Sequence, residues 1–411
     1  MRLLLVTPHF FPESFKCNEM AFELQRRGHE VVVMTAIPDY PKGSFFEGYG
    51  FFKKRTETVN GVKVHRSFII PRGKGGAIRL FFNYISYAIG TFIPAIRLGL
   101  GKKFDSIIVF QLSPVMVGIP AALIKKYQKV PILFWVQDLW PESLEAAGGI
   151  KSNLILKPFT KLTSWLYKNS DKILISSKGF KESITEKGDF KDKIVHYPNW
   201  IDKEICEGQE IDESSLCNLP EMPKGFVVLY AGNIGDAQDI PAIVDAAISL
   251  KLHHNIHFVF LGDGRKKDWL LNAINENHLE ETVHYLGRFP LETMPYFFSK
   301  ASVLFFSLKD SSIFRLTVPS RVQAFMAAGK PIVAMINGEG ADVIRVADCG
   351  YSVPAGDSKA LAELLLKLSK EDEKKLAEKG YNGKMFSQRH YDFSKSIDNL
   401  ESLLNEITNK C

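Results

Sequence analysis

Four segments of this 411-residue chain carry residue types suited to holding an anion. In Thr317-Val318-Pro319-Ser320-Arg321, Pro319 and Ser320 are expected to open a helix that small residues close at Ala327-Ala328-Gly329. A helix start offers free N–H groups and the positive dipole end, and Arg321 adds a guanidinium, a combination that fits phosphate. In isolation the commoner meaning of such a block is a capped helix with a solvated arginine. Gly232-Asn233-Ile234-Gly235 follows a strand-like run, so its glycines permit close backbone approach to a ligand, or form a plain turn. Gly262-Asp263-Gly264-Arg265-Lys266-Lys267 repeats that logic with three cations, and Lys309 follows another apolar run. Glu339 and Gly340 lie in a loop where a carboxylate can accept hydroxyls of a sugar, although loop acids are often merely solvated. The chain has no DxD metal motif, no GxxxxGK[ST] loop and no HExxH, so no metal and no cofactor are expected.

These segments need strands to aim them. Short β-branched runs occur at Leu3–Thr7, Val31–Thr35, Ser106–Phe110, Ile132–Val136 and Ile173–Ser176. They recur at Phe226–Ala231, Ile256–Leu261, Val283–Leu286, Val303–Phe306 and Ile332–Met335. Continuous apolar strands separated by helical stretches predict parallel sheets covered on both faces, hence two α/β domains in series. The strandless acidic stretch 201–224 is the expected linker. A length of 411 residues excludes a single small module, and 45% apolar with 24% charged residues excludes disorder and a polytopic membrane protein. Five cysteines without a CxxC pair exclude a disulfide framework and a zinc ribbon, and fit a reducing cytoplasm. The apolar run at the N-terminus is too short for a signal peptide and predicts a buried strand. Residues 1–200 hold 29 Lys+Arg against 16 Asp+Glu, whereas 201–411 hold 23 against 30, so the first half suits a polyanionic partner.

The anion-site motifs, with Leu286-Gly287-Arg288, stand in an order and spacing that resemble the donor domain of family 4 glycosyltransferases. Gln25-Arg26-Arg27-Gly28-His29-Glu30-Val31 and Pro38-Asp39-Tyr40-Pro41-Lys42-Gly43 resemble the acceptor domain of the same family. Trp135-Val136-Gln137-Asp138-Leu139-Trp140-Pro141-Glu142-Ser143 is similar to the fucosaminyltransferase branch of bacterial O-antigen and capsule clusters. The resemblance implies a GT-B fold of class α/β: two doubly wound Rossmann-like domains facing across a cleft. Residues 1–200 would bind the acceptor and 201–385 the nucleotide sugar, with a helix in 386–411 packing back on the first domain. It implies donor contacts from Gly232, Asn233, Ile234, Arg265, Arg288, Lys309, Pro319, Ser320, Arg321, Glu339 and Gly340. Many relatives hold the ribose through one of two glutamates eight positions apart; the corresponding residues are Leu316 and Ala324, and Gln323 is the expected substitute. The usual Gly-Gly turn is replaced by Glu13-Ser14-Phe15-Lys16-Cys17-Asn18-Glu19, so Phe15, Lys16, Asn18 and Glu19 are expected at the acceptor. Gln137 stands where many relatives place a histidine, which leaves Asp138 as the ionisable candidate at that strand end, with Gln137 and Arg321 completing the catalytic set.

The function implied is transfer of a sugar, N-acetyl-L-fucosamine or another amino or deoxy sugar, from a UDP-sugar to a polyprenyl-diphosphate-linked acceptor. Retention of configuration and independence from metal come with the family. A nucleotide-sugar epimerase on the same fold and a non-catalytic nucleotide-sugar-binding protein remain open alternatives. No RNA-binding signature is present. Leu80–Ile96 is uncharged but shorter than the ~20 residues of a membrane span, and residues 50–105 hold 11 Lys+Arg against Glu57 and Asp105. That combination suits an interfacial helix on an anionic membrane surface, hence a cytoplasmic protein peripheral on the inner face of the bacterial membrane. A core helix accounts for the apolar run equally well.

Overall fold

The computed structural model describes residues 1–73, 76–144, 152–201 and 219–409. Most of the expected linker therefore lies outside the described residues. The chain divides into two compact units: residues 1–198 together with the final helix from Ser394 onward, and Asn199–Phe393.

The first unit is built on β1 (Arg2–Val6), β2 (Glu30–Ala36), β3 (Thr56–Val59), β4 (Val62–Ser67), β5 (Ser106–Gln111), β6 (Ile132–Val136), β7 (Lys172–Ile175) and β8 (Ile194–His196). Their spatial order is β3-β4-β2-β1-β5-β6-β7-β8, and all neighbours are parallel except the β3–β4 hairpin. The hairpin turns at Asn60-Gly61, both at positive φ, the conformation that a two-residue turn between right-twisted strands requires. The second unit holds β9 (Phe226–Ala231), β10 (Ile256–Leu261), β11 (Val283–Gly287), β12 (Val303–Ser307), β13 (Ile332–Met335) and β14 (Gly350–Val353). All are parallel, in the order β11-β10-β9-β12-β13-β14. Every strand expected from the sequence is present. The four additional ones, β3, β4, β8 and β14, are short or alternate charged with apolar residues.

Side-chain alternation along β9 shows why such strands read as continuous apolar runs. Val228 and Tyr230 pack with Ile243 and Leu365 on one face, and Val227 and Leu229 with Phe297 and Met326 on the other. Fully burying each of these side chains contributes about 1.5–3 kcal/mol. Strand order reverses between β1 and β5 and again between β9 and β12. At such switch points the flanking helices lie on opposite faces of the sheet, which opens a crevice beyond the carboxyl ends of the strands. The final helix, Phe393–Asn409, buries Ile397, Leu400, Leu404 and Ile407 at helical spacing. Tyr197 Oη donates to the Ser396 carbonyl at 2.6 Å, and Arg27 reaches Asp398 and Glu401 at 2.6 and 2.7 Å.

The helix Ala77–Gly99 reverses the usual amphipathic arrangement. Asn83, Ser86, Tyr87, Thr91 and Ala95 face inward, while Ile78, Phe81, Phe82, Ile89, Phe92 and Ile93 are exposed. No helix among the described residues is long and apolar enough to cross a membrane.

Candidate functional site

In the second unit the loops after β9 and β10 meet backbone to backbone. Gly232 N–H donates to the Leu261 carbonyl and Ile234 N–H to the Asp263 carbonyl, each at 2.9 Å. Gly262 has φ +137, and a Cβ there would stand 1.9 Å from the Gly232 oxygen, so only glycine permits the contact. Gly232 has φ +141 and leaves room for Arg321, whose Nη2 would lie 2.3 Å from a Cβ at that position.

Arg321 is the second residue of the helix Ser320–Ala327. Its Nη1 donates to Tyr230 Oη at 3.2 Å, its Nη2 approaches the Asn233 carbonyl at 3.5 Å, and the guanidinium lies 5.0 Å from the Tyr230 ring centre. Burial raises the Tyr230 pKa, so the phenol stays protonated; it donates to the Asn233 carbonyl at 2.5 Å while accepting from Arg321. Among the described residues no carboxylate pairs with Arg321. Nearby cations differ: Arg315 holds Asp310, and Lys266 lies 3.4 Å from Asp236. An open pocket of about 830 Å³, within the size range of ligand sites, is lined by Gly232, Asn233, Asp263, Arg288, Arg321 and Ala324, with an apolar wall of Phe289, Pro290, Met294, Phe298 and Phe325. A charge without a counter-charge beside an apolar slot suits a ligand with an anionic and a flat apolar part.

The expected donor residues divide. Gly232, Asn233, Arg288 and Arg321 line this pocket, and Ile234 fixes its floor through the Asp263 carbonyl. Pro319 and Lys309 line a separate small cavity with Asp310, Arg315 and Asn337. Gly340 packs against Pro319, where a Cβ would lie 2.9 Å from Cδ, and Glu339 begins the helix Glu339–Val346 beside it. Ser320 and Arg265 are exposed and stand outside the pocket lining. Gln323 turns away from the pocket: it is buried, and its Nε2 donates to the Asn199 carbonyl at 2.9 Å. A helix advances about 100° per residue, so Ala324 and not Gln323 faces the pocket. Tyr230 and the Phe289 wall escaped the sequence reading, since a strand tyrosine and a loop Phe-Pro are common in cores and turns.

In the first unit Asp138 follows β6. Its Oδ2 accepts from Ser113 Oγ at 2.9 Å, and that oxygen in turn accepts from Trp140 Nε1 at 3.0 Å. Burial raises the Asp138 pKa above the usual carboxylate value, and the serine bond offsets part of the shift. The Gln137 N–H continues the ladder to the Gln111 carbonyl at 2.9 Å. Of the four residues expected at the acceptor, Asn18 is committed elsewhere: its Nδ2 donates to the Glu13 carbonyl at 2.6 Å and its Oδ1 accepts the Phe11 N–H at 3.2 Å. That carboxamide closes the loop and is buried. Phe15 stacks on His9, and Lys16 and Glu19 are half-buried in the first turn of the helix Lys16–Arg26.

Two doubly wound sheets, each with ligand-type loops at its carboxyl edge, define the GT-B class. Residues 17–205 match the model of Glycosyltransferase Family 4 and residues 218–385 that of Glycosyl transferases group 1. The chain belongs to these family 4, group 1 glycosyltransferases. It is 26% identical over 306 residues to WbjE of Pseudomonas aeruginosa, described as a glycosyltransferase, covering 72% of this chain and 74% of that protein. It is 24% identical over 305 residues to WcaI of Escherichia coli K12, described as a colanic acid biosynthesis glycosyl transferase, covering 71% and 72%. Among solved structures it matches Anabaena HepE in complex with UDP, with a TM-score of 0.69, 13% identity and coverage of 99% and 100%. WaaG, a glycosyltransferase involved in lipopolysaccharide biosynthesis, matches with a TM-score of 0.64, 12% identity and coverage of 99% and 100%.

Proposed function

We propose that this protein transfers a sugar from a UDP-sugar to a polyprenyl-diphosphate-linked saccharide during surface polysaccharide synthesis, with retention of configuration and without metal. The observation that carries the reading is Arg321, a cation without a carboxylate partner among the described residues, set over a glycine turn at the carboxyl end of β9. The UDP in the HepE structure and the polysaccharide role in the description of WcaI support it. Bond breaking between the anomeric carbon and the diphosphate leaves the electron pair on the phosphate oxygen. Arg321 and the backbone N–H groups of the adjoining turns bind that oxygen more tightly as its charge grows. The acceptor oxygen forms the new bond and loses its proton, to Asp138 or to the departing diphosphate. The Ser113–Trp140 chain orients the Asp138 carboxylate.

The docking surface of this reading is the helix Ala77–Gly99. Its exposed stripe runs from Ile78 to Ile93 with Arg79 and Arg97 at the flanks. Phe52, 99% exposed, adjoins Lys53 and Lys54 in a segment joined to the helix: Phe51 packs on Phe68, whose backbone lies against Gly90. Apolar side chains beside cations suit the headgroup level of an anionic bilayer.

The test is turnover of UDP-sugars with a short-chain polyprenyl-diphosphate saccharide. Product in which the sugar is attached to the acceptor, with UDP released in equal amount, supports the reading. Interconversion of the free nucleotide sugar means the epimerase, and binding of nucleotide sugars without any turnover means the non-catalytic protein.

A further inference from the structure

A polar cluster lies inside the first unit at the carboxyl ends of β1, β2 and β4, and neither Arg321 nor Asp138 belongs to it. Glu13 Oε1 accepts the N–H groups of Asp39 and Tyr40 at 2.9 and 2.7 Å, and its Oε2 lies 3.0 Å from His9 Nδ1. Arg72 Nη2 stands 2.7 Å from His9 Nε2. A guanidinium only donates, so Nε2 accepts and Nδ1 carries the proton that His9 gives to Glu13. Asp39 Oδ2 accepts the Arg72 N–H at 2.8 Å. His9, Glu13 and Asp39 are all more than nine-tenths buried.

The cluster has unspent capacity. Asp39 Oδ1 and Arg72 Nε are buried and make no hydrogen bond; at 3.6 Å they form an ion pair with each other. Among the described residues Arg72 Nη1 has no partner. The long ion pair leaves hydrogen-bonding capacity on both groups, which a hydroxyl-bearing ligand can use. Beside them stands an aromatic wall. Phe15 stacks on His9 at 4.9 Å, Tyr40 tilts against both rings at 5.5 Å, and the Arg72 guanidinium lies 5.3 Å from the Tyr40 ring centre. Tyr40 is nonetheless 42% exposed, and Phe11 close by is 41% exposed.

Charge decides the kind of ligand. Two carboxylates against one guanidinium repel a phosphate. A metal ion is disfavoured too, because both His9 nitrogens are engaged and the Arg72 charge lies beside Asp39. A neutral polyol fits: its hydroxyls accept from Arg72, and its C–H face packs on an aromatic ring.

We propose that Tyr40 and Arg72, held in place by Glu13, His9 and Asp39, form the subsite for a neutral sugar ring of the acceptor. The proposal rests on the glycosyl-transfer reading and says which end of the acceptor the first unit grips: the saccharide, not its diphosphate. Glu13, His9 and Asp39 are positioning residues; Tyr40 and Arg72 touch the sugar.

Two measurements test it. In transfer assays with saturating UDP-sugar, Tyr40→Ala and Arg72→Gln should raise the acceptor KM tenfold or more, with kcat and the UDP dissociation constant within twofold of the parent. Tyr40→Phe, which keeps the ring, should raise the acceptor KM far less than Tyr40→Ala. Separately, saturation-transfer NMR with methyl glycosides of glucose, galactose and their N-acetylamino forms should show ring-proton contacts that Tyr40→Ala abolishes. If transfer is active and Tyr40→Ala leaves the acceptor KM unchanged, or weakens UDP equally, the subsite is wrong while the reaction stands. If no acceptor is glycosylated but Tyr40-dependent glycoside contacts persist, the subsite stands and the reaction reading falls. Absence of glycoside contacts in the parent protein overturns the subsite.

Discussion

Replacing Arg321 by alanine is expected to weaken UDP binding by about 1.5–3 kcal/mol, the range for hydrogen bonds to charged groups, or roughly 12- to 160-fold in Kd. The size follows from what surrounds the guanidinium. Behind it are a phenol and a carbonyl, not a carboxylate, so its removal leaves no orphaned opposing charge and the loss falls on the ligand. The fold itself should lose little. Tyr230 keeps its bond to the Asn233 carbonyl, and what disappears is two bonds to neutral acceptors, the longer at 3.5 Å, plus a cation–π contact of about 0.5–1 kcal/mol. Arg321→Lys keeps the charge but not the planar fork and should fall between the two. Calorimetric titration with UDP at two ionic strengths, with circular dichroism to confirm folding, is the assay. A Kd for Arg321→Ala within twofold of the parent, in a folded protein, would refute the placement of the diphosphate.

Gly232→Ala should reproduce much of that loss, because its Cβ would displace the mobile end of Arg321; in combination with Arg321→Ala the two effects on Kd should be clearly less than additive. Gln323→Ala should leave UDP affinity unchanged yet lower stability by about 0.5–1.5 kcal/mol, since it removes a part-buried hydrogen bond; a chemical denaturation curve reads this directly. Asp138→Asn should cut turnover while the fold persists. In the parent, burial raises the Asp138 pKa, so its ionisation in the folded state comes at higher pH than in the unfolded chain: protonation relieves a stability penalty below that window, the penalty is fully present above the folded pKa, and activity that needs the carboxylate falls as pH drops through it. A pH–rate profile of the wild type without an acid limb above the ordinary carboxylate range contradicts this. Sedimentation with anionic vesicles should fall when Phe81, Phe82, Phe92 and Ile93 are changed to serine, and also when Arg79, Arg97, Lys102 and Lys103 are changed to glutamine. Equal sedimentation by both variants argues against docking through this helix.

Period and motif order were enough to read the two sheets, because a parallel strand buried on both faces must be apolar along its whole length and Gly-rich loops must follow it. The same local logic gave Arg321 its helix start and Asp138 its strand end. It failed where a property depends on which way a side chain turns. Gln323 and Ala324 are adjacent in the chain, yet one bonds the Asn199 carbonyl and the other faces the pocket. Asn18 has the chemistry of a ligand group, but loop closure uses both ends of its carboxamide. The apolar run Leu80–Ile96 read equally well as core or as docking surface; the fold buries its small and polar face and exposes its phenylalanines. Glu13 and Asp39 stand in segments that the sequence reading names, but nothing in them points to His9 or Arg72, since the four are brought together only when β1, β2 and β4 lie side by side. The sequence by itself determines the elements and the order of their loops, through periodicity and backbone chemistry that act within a few residues. Which side chains converge at the strand ends, and which of them keep an unpaired charge, is decided by long-range packing, because burial and partner choice exist only once distant segments meet.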